Sequence, residues 1–80
     1  MENDLAKHVA TTIFKTTSQM TEMIPLLKDH CDVAEYESYA KAIASVAGLA
    51  STEILRKIFA EHPDIEREFD RKIEKYGKLI

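Results

Sequence analysis

Only four residues in the 80-residue chain ordinarily stop a helix or open a tight turn: Pro25, Gly48, Pro63 and Gly77. Proline lacks an amide hydrogen and glycine loses the most backbone freedom on folding, so their positions limit how far a helix can run. Spaced this widely, they leave long uninterrupted stretches. A many-stranded fold needs turn residues every few positions. The expectation is an all-α protein, and with no internal repeat or low-complexity segment, residues 1–80 read as a single helical domain.

The first helix is expected over about residues 4–30, with Asn3 and Asp4 as start signals. Ala6, Ile13, Met20 and Leu27 recur every seven residues, and Val9, Thr16 and Met23 follow three later. That is the a/d seam of a helix packed along a partner helix. Threonines at 11, 12, 16, 17 and 21 lower helix propensity, but the sustained seam decides for helix. Pro25 falls opposite the seam, so a kink towards solvent is expected there, with a full break as the alternative.

A turn at His30 to Asp32 follows, and Asp32 with Glu35 resembles a capping box. The second helix is expected over about 33–61. Its inward stripe is Tyr36, Ala40, Ile43, Ala47, Ala50, Ile54 and Ile58, widened by Tyr39, Val46 and Leu49. Ala40, Ala44 and Gly48 form a shallow strip open to close approach by another backbone. His62-Pro63-Asp64 is a sharp boundary, since Pro63 suits the first position of a helix and Asp64 and Glu66 favour its positive end. The third helix, about 63–77, carries Ile65, Phe69, Ile73 and Tyr76 on one face, and Glu68–Lys72 and Glu74–Lys78 at i,i+4 spacing. Gly77 ends it.

At 1.5 Å per residue the first two helices are each about 40 Å long and the third about 20 Å. The short link makes an antiparallel hairpin, over half of which the third helix can fold. It is expected to cover Leu5, Val9 and Ile13 together with the Ala47 to Phe59 end of the second helix. Met20, Met23, Ile24, Leu27, Tyr36, Tyr39, Ala40, Ile43 and Val46, near the turn, are left without a cover. Such a patch amounts to about 500 Å² or more, larger than a monomer usually leaves wet. Methionine and tyrosine are residues that interfaces favour. The sequence reading is therefore a helical bundle completed by homodimerisation, in a small non-catalytic protein that acts through protein–protein contacts, with itself and with a further protein partner.

Chain size supports that remedy. A domain this short buries only about 60–65% of its unfolded surface. Cys31 is the single cysteine, so no disulfide can help and a reducing, cytoplasmic setting is expected. Fourteen acidic against eleven basic residues give a net charge of −3, with no general attraction to nucleic acid or anionic membranes. Met1-Glu2-Asn3-Asp4 is acidic where a secretory signal is basic. The charge-free stretch Ala42 to Thr52 is short of the ~18 residues of a membrane span. His8, His30 and His62 lack a ligand spacing, so no metal or other cofactor is expected. Cys31 has no nameable base, Gly48 and Gly77 make no phosphate loop, and Glu66 and Asp70 lie among cations on a solvated face. No enzymatic chemistry is expected.

One stretch points elsewhere. Ile43-Ala44-Ser45-Val46-Ala47-Gly48-Leu49-Ala50-Ser51-Thr52-Glu53-Ile54, followed by Ile58 and His62-Pro63-Asp64, resembles the helix-turn-helix of lactose-repressor-type DNA-binding proteins. The resemblance implies a turn at Ala47-Gly48-Leu49 between two short helices, with Ser51, Thr52 and Arg56 facing the major groove. Ala50 departs from the family's hydroxyl-bearing cap, and Glu53 adds negative charge to the groove-facing side. DNA binding through residues 43–59 is thus the alternative function. A break at Gly48 favours it; a continuous helix favours the interaction module.

Overall fold

A computed structural model of the protein describes residues 1–79. The chain is all-helical, with three rods and no strand among the described residues. The first rod is α1 (Asn3–His30). The second comprises α2 (Val33–Ala50), a π-helical stretch (Ser51–Leu55) and α3 (Arg56–Glu61). The third is α4 (Pro63–Tyr76).

Local signals account for most of the boundaries. The Asp32 carboxylate accepts the Glu35 amide at 2.8 Å and caps α2. Pro63 opens α4, and Gly77 closes it at φ 74°, a left-handed conformation natural to glycine. Lys78 lies beyond that turn, outside the helix that its pairing with Glu74 assumed. The start of α1 differs from expectation. Glu2 is its cap, accepting the Asp4 amide at 3.1 Å. Asn3 is drawn instead to α4, where its Nδ2 donates to Asp64 Oδ2 at 3.0 Å and lies 3.2 Å from His62 Nδ1. Pro25 is exposed inside an unbroken α1, so no segment folds back from it.

The second rod runs straight through Gly48. Ala50, Ser51, Leu55 and Arg56 all keep right-handed helical dihedrals. Within the π-helical stretch the Arg56 amide bonds to the Ser51 carbonyl, five residues back. One residue is thereby inserted into the helical phase. Leu55 takes the inward position that a regular helix gives Ile54; Leu55 is buried and Ile54 exposed. Ile58 stays buried, and Phe59 turns towards α4.

The core sits at the open end of the hairpin, where Ala6, Ala10, Leu55, Ile58, Ile65 and Phe69 are buried together. Burying Ile65 or Phe69 contributes about 1.5–3 kcal/mol each. Phe69 meets Phe14 edge-to-face at 5.8 Å and Phe59 at 5.5 Å, tying α4 to both long rods. Lys7 bridges to Glu68 at 2.9 Å, and Lys72 reaches the same carboxylate at 3.3 Å. Partly exposed, solvent-screened pairs of this kind contribute about 1 kcal/mol or less.

Two expectations need correction here. The heptad seam of α1 describes a helix with one partner, whereas α1 has two. Ala6, Ala10 and Phe14, at four-residue spacing, form the line against the core and α4, while Thr16 and Met23 are exposed. Leu5 is not covered by α4, because Lys7 and Phe14 draw α4 to the other side of α1. Val9 and Ile13 do pack against the core, half-buried.

Candidate interaction surface

No residue from Thr11 to Val46 is buried. The hairpin's turn half is held by contacts between its two helices; α4 reaches it at Phe14, and among the described residues Lys78 and Leu79 come near it beside Ser18, Gln19 and Glu22. Of the nine residues expected there, Met20, Ile24, Leu27, Tyr36, Ala40 and Ile43 are half-buried. Met23 is 45% exposed, Tyr39 59% and Val46 55%. Helical phase explains the split, at about 100° per residue. Ile24 and Ala40 point into the seam between α1 and α2. Met23, Tyr39 and Val46 lie roughly 60–100° off it.

The surface is large for the chain. A compact folded monomer of 9.1 kDa exposes roughly 4,900 Å². This chain exposes 5829 Å². Its radius of gyration is 14.7 Å, against about 11.6 Å for a compact 80-residue domain. The principal extents are 45 × 25 × 15 Å, an elongated and flattened slab. A slab of this kind has two broad faces. On one, α4 covers the open end, and Ser18, Thr21, Ala44 and Gly48 line a shallow recess nearer the turn. No backbone approaches Gly48 in that recess: a Cβ added there meets nothing within 4 Å.

Sequence reasoning missed several exposed apolar side chains, namely Leu5, Leu26, Val33, Leu49 and Ile54. For Leu5 the signal was available, since it precedes Val9, Thr16 and Met23 on one side of α1. For Ile54 it was not, because the π-helical phase shift has no mark in the residue pattern.

Ser51, Thr52 and Arg56 do come together, in an open groove of about 510 Å³ with Leu55, Phe59, Ala60 and Glu66. The unbroken helix through Gly48 removes the turn that a helix-turn-helix requires, so these three residues do not sit at the start of a separate recognition helix.

Polar side chains of α1 bond those at and within α4. Asp64 is held below the usual carboxylate range mainly by the Asn3 hydrogen bond. Glu68 is held below it mainly by the hydrogen bond from Lys7, assisted by Lys72 and opposed by desolvation. His62 keeps one ring nitrogen near Asn3 while its Nε2 is buried without a partner among the described residues. His8 and His30 are exposed, Cys31 is half-buried, and no cluster of metal-ligating side chains occurs among the described residues. No described helix is long and apolar enough to cross a membrane. Comparison with family models, curated proteins and solved structures finds no match to the chain.

Proposed function

We propose that this protein is a small, non-catalytic interaction module that self-associates through the uncovered apolar side chains of its helical hairpin, most simply as a two-fold dimer completing a helical bundle. The observation that carries the reading is the absence of any buried residue between Thr11 and Val46. A chain that leaves Met23, Tyr39 and Val46 exposed has apolar area to gain by association. The single thiol at Cys31 suits a reducing compartment such as the cytoplasm.

Sedimentation equilibrium is the test. The mass should rise from 9.1 kDa towards twice that value as concentration increases. Tyr39→Glu should hold it at the lower value, because a carboxylate placed in the contact loses its water without gaining a partner. A stable monomer at high micromolar concentration would overturn the reading.

A further inference from the structure

The placement of α4 decides how far the uncovered surface extends. Lys7 and Phe14, which hold α4, point about 160–180° away from Leu5 and Met23 around α1. The open-end half of the face behind the hairpin is therefore bare as well. A recess of about 240 Å³ lies there between His8, Val9, Thr12 and Ile13, and no residue of α4 lines it.

The same face can be followed along both helices. On α1, Leu5, Val9, Thr16, Met20, Met23 and Leu27 fall within about 60° of one another. On α2, Tyr39, Ala42, Val46 and Leu49 follow at spacings of three, four and three. Gly48 and Ser18 share the recess on the α4 side, so the opposite flanks, bearing Val46 and Met23, lie together on the other. None of these ten residues is charged.

Resting on the self-association reading, we propose that a second copy of the chain covers this whole charge-free face, from the Leu5 end of α1 to its Leu27 end. Two hairpins then meet face to face, with both α4 helices outermost.

Area and charge both favour a second copy. The chain exposes roughly 900 Å² more than a compact monomer of its mass, close to the ~800 Å² that each partner buries in a standard interface. A turn-half patch of about 500 Å² would leave much of that excess wet. A lipid surface is disfavoured, because such faces are rimmed by Lys and Arg. Here Glu35 and Glu53 stand at the two ends of the α2 stripe, and the net charge is −3.

The experiment compares the dissociation constants of the wild type and four variants by sedimentation, with circular dichroism to confirm folding. Met23→Glu probes the turn half. Leu5→Glu and Ile54→Glu probe the open end from separate helices, at positions exposed enough to accept the change. Ala44→Glu probes the exposed face on the α4 side. The expected result is roughly tenfold or greater weakening for the first three and none for Ala44→Glu. Weakening by Met23→Glu alone would overturn the full-length interface and leave self-association standing. Weakening by Ala44→Glu without Leu5→Glu would put the contact on the other face, with the same consequence. A monomeric wild type would overturn both.

Discussion

Replacing Phe69 with alanine should remove the centre of the small core without touching the uncovered face. Phe69 is buried, and it is the only residue in ring contact with both Phe14 of α1 and Phe59 of α3 among the described residues. Truncating a packed phenylalanine costs about 3–5 kcal/mol through lost transfer energy and the cavity left behind. Each edge-to-face contact accounts for about 0.5–1.5 kcal/mol of interaction beyond its buried area. A domain of this length has a total stability of roughly 4–12 kcal/mol, so the variant should lose a large share of it. Met23→Ala, at a half-exposed position, should cost less than about 1 kcal/mol. Urea denaturation followed by circular dichroism reads both, at one dilute protein concentration so that association does not contribute. A cost below about 1 kcal/mol for Phe69→Ala, or equal costs for the two variants, would refute a core confined to the α4 end.

The two glycines should respond with opposite signs. Gly77→Ala forces a side chain into a left-handed conformation and should destabilise by about 1–2 kcal/mol, whereas Gly48→Ala, in a helix interior with open space around its Cβ, should stabilise by about 0.5–1 kcal/mol; thermal melts compare them. Asp64 and Glu68 both titrate below the usual carboxylate range, so their contribution is complete above it and is lost as pH falls below about 4 through the lowered native values. Asn3→Ala should raise the Asp64 value towards normal, as followed by carboxyl-carbon NMR titration, and leave Glu68 unchanged.

The helix count and the capping chemistry were legible because they depend on local residues. Asp32, Pro63 and Gly77 act on backbone groups within a few positions of themselves. Association of Asn3 with Asp64 was not legible, since a good cap and a good tertiary hydrogen-bond donor look alike in sequence. Periodicity located the apolar positions of α1 and could not say which neighbour each would meet. A seven-residue repeat implies one partner, while Ala6, Ala10 and Phe14 serve a second at four-residue spacing. The π-helical stretch lies further out of reach. Its extra residue exchanges Leu55 for Ile54 at the inward position, and only the packing of α3 on α4 distinguishes the two. Rod lengths pointed to the turn half, where Met23, Tyr39 and Val46 are exposed and the other six expected residues half-buried; the side on which α4 settles was decided by Lys7 and Phe14.

The central claim is that Met23, and in part Met20, is open in one chain and sheltered by a second. Peroxide oxidation of the three methionines, resolved by peptide mass spectrometry in dilute and concentrated solution, tests it directly, with Met1 as an exposed internal reference. Met23, and to a lesser degree Met20, should oxidise readily when dilute and become protected relative to Met1 when concentrated. Ratios to Met1 that stay the same across the concentration range would contradict it.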